Sequence, residues 1–137
     1  MNILFFLTPK EDVAYVYDHC TLRQVLETME HHKYASIPMI NKEGKYVGNI
    51  TEGDLLWGIK NIKNLNLKRA EHIFISDFPR KKDYETVRAE SEMKDLVTKA
   101  MNQNFVPVVD DQENFIGIIT RKSIIEYCYN KLNASEQ

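Results

Sequence analysis

Thr51 and Asp54 stand three residues apart in Gly48-Asn49-Ile50-Thr51-Glu52-Gly53-Asp54, and Thr120 and Ser123 repeat the spacing in Gly117-Ile118-Ile119-Thr120-Arg121-Lys122-Ser123. In both stretches the threonine ends a strand-like apolar run and opens a helix-like one. A helix N-terminus leaves backbone N–H groups unpaired and carries the positive end of the helix dipole, which suits a phosphate. A threonine hydroxyl at that place adds a donor. A carboxylate one turn on repels phosphate but accepts both hydrogen bonds of a ribose diol. Thr-x-x-Asp is also close to a helix capping box, in which the acidic side chain turns back onto the backbone. Both readings stand open on the motif alone.

The second junction differs in kind. Ser123 holds the place of the aspartate, and Arg121 and Lys122 occupy the first turn, where Glu52 stands in the first junction. Cations in a first turn are disfavoured by the helix dipole by about 0.3–1 kcal/mol each. That placement suggests an anion that compensates it, against the alternative of a solvated surface pair. Arg80-Lys81-Lys82 form a further basic cluster, for which a solvated loop is the plainer reading.

Other chemistry is missing. Gly48, Gly53 and Gly58 are five apart, which fits neither a Walker loop nor GxGxxG. The four histidines are His19, His31, His32 and His72. On a helix, neighbours such as His31 and His32 point about 100° apart, unlike metal ligands at i and i+4. No Ser, Cys or Thr has an evident acid–base partner. We therefore expect no enzyme, no metal and no cofactor. The net charge of −2, from 18 basic and 20 acidic residues, argues against non-specific nucleic-acid binding. The apolar run Ile3 to Leu7 is too short for a membrane span or a signal core. Cys20 and Cys128 show no CxxC spacing, and a reducing cytoplasm is the simplest setting.

The elements that must position these residues occur twice. Pro38, Gly48 and Thr51 match Pro107, Gly117 and Thr120 at a constant offset of 69. Upstream, Leu22, Val25, Leu26 and Met29 match Met93, Leu96, Val97 and Ala100 at an offset of 71. Three anchors at one offset indicate an internal repeat, with two residues fewer between helix and strand in the second copy. Each copy reads β-α-β-β-α: a short β-rich piece (Val13 to Val16; Tyr84 to Val87), an amphipathic helix, two strands joined by a polar turn (Asn41 to Lys45; Asp110 to Asn114), and a closing helix. Residues 4–60 and 73–132 are expected as the repeats and 61–72 as a connector in which Leu65, Leu67 and Ile73 pack. Residues 133–137 are expected as a frayed polar tail. A copy of roughly 50–60 residues buries little surface alone, so the copies are expected to pack on each other. Trp57 is expected in the core or in a dimer contact.

The chain resembles a tandem CBS-domain pair, or Bateman module. Ile37-Pro38 and Val106-Pro107 before the hairpins carry the resemblance, with the two Gly-x-x-Thr-x-x-(Asp/Ser) junctions after them. It implies an α+β fold of two CBS repeats related by a pseudo-two-fold axis. It also implies a stand-alone regulatory module that binds an adenine nucleotide (AMP, ADP, ATP or cyclic di-AMP) between the repeats, forms a homodimer and signals to a partner protein. A ligand-free scaffold for protein–protein contacts is the alternative. Ser76-Asp77-Phe78-Pro79-Arg80 and Arg121-Lys122 are similar to small Gram-positive proteins of this family that bind cyclic di-AMP. Carried over by position, Thr51 and Asp54 would face Tyr84, Glu85, Asn104, Phe105 and Pro107. Thr120, Arg121 and Lys122 would face Val13, Ala14, Tyr34, Ala35, Ser36 and Pro38. Tyr34, Tyr84 and Phe105 would lie against a purine, and the Ala14 backbone would read its edge.

Overall fold

The computed structural model describes residues 2–136. Two short strands, β1 (Thr8–Pro9) and β2 (Val16–Tyr17), precede helix α1 (Leu22–His32). The hairpin of β3 (Ser36–Ile40) and β4 (Tyr46–Thr51) follows, then α2 (Glu52–Lys60) and the one-turn α3 (Leu67–Ala70). Beyond a 3-10 turn at Ile75–Asp77 come α4 (Met93–Ala100), β5 (Phe105–Val109), β6 (Phe115–Thr120) and α5 (Arg121–Glu136). The chain forms two compact units. Ala14–Asp83 make up a middle unit, and the first thirteen residues join Tyr84 onward in a terminal unit. The expected α+β class and the doubled β-α-β-β-α order are both present.

In the middle unit, α1 starts because Thr21 and Gln24 form a capping box. The Thr21 hydroxyl accepts the Gln24 N–H at 3.2 Å, and Gln24 Oε1 accepts the Thr21 N–H at 2.8 Å. The helix ends at Lys33, a left-handed residue with φ 57°. Leu22, Val25 and Met29, at helical spacing, are buried with Val16, Ile37, Met39, Ile50, Leu55, Ala70, Ile75 and Phe78. The sheet has the order β2-β3-β4, with β2 parallel to β3 and β3 antiparallel to β4. Its central strand β3 is buried throughout. In the connector, Leu65 and Ile73 pack on the core as expected, but Leu67 is 57% exposed. The single turn of α3, capped by Asn66, turns Ala70 inward instead.

In the terminal unit, Ile3, Val87, Leu96, Ala100, Val106, Val108, Ile119 and Ile124 form the core. The sheet order is β1-β6-β5. The N-terminal strand therefore completes the sheet of the second repeat, with Thr8 opposite Ile118 and Pro9 opposite Gly117. The β-rich pieces also differ from expectation. The first forms at Val16–Tyr17, because Val13 closes a 3-10 turn by donating to the Lys10 carbonyl. The second contributes only Val87, whose N–H donates to Pro107 O at 2.9 Å and whose carbonyl accepts from Val109 at 3.0 Å. The stretch after Leu132 remains helical as far as Glu136 rather than fraying, and Gln137 lies outside the described residues.

The hairpin turns use one device. Asn41 Oδ1 accepts the Glu43 and Lys45 N–H groups, and Asp110 Oδ1 accepts those of Gln112 and Asn114. The closing strand of each hairpin then carries a glycine at a crowded place. At Gly117 a Cβ would strike the Thr8 carbonyl of β1. Gly117→Ala is expected to lower stability by about 1–3 kcal/mol through overpacking. Gly53→Ala, where a Cβ meets only Thr51 Oγ1 at 3.7 Å, should be neutral or slightly stabilising. Urea unfolding of the two variants checks this, and equal midpoints would refute the crowding argument.

Candidate functional site: two strand-to-helix junctions

The first junction lies where β4 ends and α2 begins. The capping-box reading is realised there. Asp54 N–H donates to Thr51 Oγ1 at 3.0 Å, and Thr51 N–H donates to Asp54 Oδ2 at 3.0 Å. Asp54 is 6% exposed, and its second oxygen accepts the Lys81 N–H at 3.0 Å. Each carboxylate oxygen thus holds one backbone donor and keeps one lone pair. The Glu52 N–H donates to the Ala35 carbonyl at 2.9 Å. A cavity of about 200 Å³ beside the junction is lined by Asp54, Trp57, Arg80 and Lys81, among others.

The basic cluster is more than a solvated loop. Arg80 clasps Asp83 through Nε at 3.2 Å and Nη2 at 3.3 Å. Asp83 Oδ1 also accepts the Asn49 N–H at 3.2 Å, and its carboxylate lies where a Cβ on Gly48 would fall, at 2.7 Å. The strand β3 begins beside this junction, with Ser36 opposite Thr51. Ser36 is 7% exposed, and its hydroxyl is buried with no hydrogen-bond partner among the described residues. Pro38 is buried two pairs further along, opposite Asn49.

The second junction lies where β6 ends and α5 begins. Thr120 Oγ1 accepts the Ser123 N–H at 3.1 Å and shares a hydrogen bond of 3.0 Å with the Ser123 hydroxyl. The Arg121 N–H donates to the Asn104 carbonyl at 3.2 Å, repeating the Glu52–Ala35 contact. The first-turn position of Arg121 suggests a compensating anion, and within the chain its side chain meets a carbonyl. Arg121 Nε donates to the Ala100 carbonyl at 2.9 Å, at the C-terminal end of α4, where a cation is favoured. Lys122 is exposed. Phe105 lies opposite Thr120 and meets Tyr84 edge-on, with ring centroids 5.0 Å apart.

The middle unit therefore holds Ala14, Tyr34, Ala35, Ser36, Pro38, Thr51 and Asp54, and the terminal unit holds Val13, Tyr84, Glu85, Asn104, Phe105, Pro107, Thr120, Arg121 and Lys122. Tyr34 is 38% exposed and stacks on His32 at 5.2 Å. Tyr15, beside Ala14, is raised above the ordinary tyrosine range by its hydrogen bond with Tyr17 and by burial. Sequence reasoning missed Gln103. Its side chain is buried and bonds the Glu85 N–H, the Glu85 carbonyl and the Phe105 carbonyl. The one signal for it was a polar residue two positions before a strand of the terminal core. Among the described residues, no group of three or more His, Cys, Asp or Glu could hold a metal, and no helix is long and apolar enough to cross a membrane.

Known proteins share this arrangement. The CBS domain model matches residues 6–61 and 75–130, so the chain belongs to the CBS-domain family, with two copies in tandem. It is similar to CbpB solved in complex with c-di-AMP, at 28% identity and a TM-score of 0.83, over 99% of this chain and 89% of that one. It is also similar to CbpB of Streptococcus agalactiae, at 30% identity and a TM-score of 0.76, over 93% of this chain and 80% of that one. An uncharacterized protein of Methanocaldococcus jannaschii, MJ1225, is 24% identical over 141 residues, which cover 95% of this chain. The chain spans half the length of that relative.

The two junctions respond differently to truncation. Asp54→Ala removes one half of a cap and leaves the Thr51 and Lys81 N–H groups unpaired, so a loss of about 1–3 kcal/mol is expected. Arg121→Ala is expected to cost about 1 kcal/mol, and Lys122→Ala to stay within about 0.5 kcal/mol. Chemical denaturation of the three variants measures these differences. Equal losses for Arg121→Ala and Lys122→Ala would show that the Ala100 contact contributes nothing.

Proposed function

We propose that this protein is a regulatory module that binds an adenine nucleotide, cyclic di-AMP foremost, and passes the signal to a partner protein. The observation that carries the reading is Ser36. A buried hydroxyl without a partner costs about 1–3 kcal/mol, and here it stands at a strand end opposite the Thr51 cap. A ligand at that junction would satisfy it. The preference for cyclic di-AMP rests on Asp54. Both of its oxygens already accept backbone donors. A mononucleotide's free ribose diol would find only the one remaining lone pair on each oxygen of a carboxylate that is 6% exposed, whereas a cyclic dinucleotide has no vicinal diol to place. The solved CbpB relative with c-di-AMP bound supports the same class. Thr120, Arg121 and Lys122 are the residues we assign to a phosphodiester.

The apolar side chains Leu56 and Trp57 on α2, and Ile125, Tyr129 and Leu132 on α5, are more than half exposed. We assign these faces to a homodimer whose shape a partner reads. The ligand changes the readout through its differential affinity for two states of the module. The scaffold reading draws on the completed capping box at Thr51–Asp54, which explains that motif without a ligand.

Thermal-shift titration with AMP, ADP, ATP, NAD, S-adenosyl-methionine and cyclic di-AMP tests the proposal. A ligand at a hundredfold excess over Kd stabilises by about 2.7 kcal/mol. Stabilisation by cyclic di-AMP, reduced in the Arg121→Ala/Lys122→Ala double variant, is the expected result. No shift with any of them would favour the scaffold.

A further inference from the structure

Gln103 lies in the short stretch between α4 and β5 and is 6% exposed. Its carboxamide is spent on backbone groups, two of them on Glu85. Oε1 accepts the Glu85 N–H at 3.0 Å, while Nε2 donates to the Glu85 carbonyl at 3.1 Å and to the Phe105 carbonyl at 3.2 Å. A side-chain amide presents one acceptor and one donor side by side. The N1 and N6-amino groups of adenine present the same pair. The N–H and C=O of Glu85 thus form a recognition edge for an adenine, already met by an adenine-like group from within the chain. The flat partner that a base would use is beside it, in the Tyr84–Phe105 aromatic pair.

The internal repeat supplies the comparison. At the offset of 71 that aligns the segments upstream of the strands, Glu85 corresponds to Ala14. Among the described residues, neither the N–H nor the C=O of Ala14 has a hydrogen-bond partner. The two candidates for the place of Gln103 in the middle unit are His32 and Tyr34, depending on the side of the two-residue gap. Both are exposed, stacked on each other, and neither carries an amide. From this contrast we infer that Gln103 is an internal mimic of an adenine edge that closes the Tyr84–Glu85 segment to a base, and that Ala14 alone reads one. This rests on the adenine-nucleotide reading above and deepens it by assigning one base-reading edge per chain. Gln103 is a specificity-determining residue of the second repeat, acting by occupation rather than by contact with ligand.

The test uses the full chain, labelled with ¹⁵N and titrated separately with AMP and with cyclic di-AMP, with calorimetry alongside. In the wild type the Ala14 amide resonance is expected to shift and the Glu85 amide to stay in place. In Gln103→Ala the Glu85 amide is expected to exchange with solvent about tenfold faster, for the loss of one buried hydrogen bond. It should then shift on adding nucleotide, with a second AMP bound per chain. A Glu85 shift in the wild type would overturn the inference. So would a folded Gln103→Ala variant whose Glu85 amide ignores nucleotide. If the variant does not fold, the wild-type titration decides alone, through the contrast between Ala14 and Glu85. Nucleotide binding that moves neither amide also overturns the inference and leaves the proposed function standing. Absence of calorimetric binding by either protein overturns both.

Discussion

A carboxylate taken out of water costs several kcal/mol unless donors replace the water. Asp54 is such a group, and its donors come from two places, the end of β4 and the backbone at Lys81. Meeting that requirement joins the hairpin, the start of α2 and the segment after Phe78. The same segment makes two further contacts along its length. The Phe78 ring lies where a Cβ on Gly58 would fall, and Asp83 does the same at Gly48. Residues 78–83 are thereby strapped across α2 and β4 at three points, two of which exist only because glycine leaves room. A helix glycine costs about 1 kcal/mol against alanine, and at Gly58 that loss is offset by the burial of Phe78, which is 4% exposed.

The two repeats solve the same local problems with different groups. The crowded glycine of the closing strand is covered by a carboxylate in the middle unit and by the backbone of β1 in the terminal one. The left-handed turn position is Gly44 in one hairpin and Glu113, at φ 66°, in the other. The first residue of the hairpin's opening strand is Ser36, with an orphaned hydroxyl, in one and Phe105, packed on Tyr84, in the other. Shared backbone geometry with divergent side chains leaves the two repeats chemically unlike at matching places.

Much of this was legible because it is local. Thr51 and Asp54 are three apart, so the cap that joins them is written in their spacing, and the hairpin turns follow from Asn41 and Asp110. The repeat exposed the order of elements through matching prolines, glycines and threonines. What escaped depends on partners distant along the chain. The first turn at Arg121 suggested an anion because the Ala100 carbonyl that receives its side chain lies on another helix. Gln103 was overlooked because its partner at Glu85 precedes α4. Leu67 looked like core because apolar spacing cannot tell which side of a one-turn helix faces inward. The strand β1 was invisible because two residues, one of them proline, carry no periodicity at all.

That strand has a consequence for the order of assembly. Thr8 pairs with Ile118, 110 positions later, so the two strands of this pair are made well apart in time. At roughly 5–20 residues per second, that interval is on the order of 5–20 s of synthesis. The middle unit draws only on Ala14–Asp83 and has its whole complement of partners well before then. During translation the segment with Ile3, Phe5 and Phe6, which leads into β1, therefore waits for a partner strand that is not yet made. Pairs this distant in the chain close slowly, because loop closure must precede the contacts that reward it. Vulnerability to proteases or to aggregation is accordingly concentrated in that segment until β6 has been made.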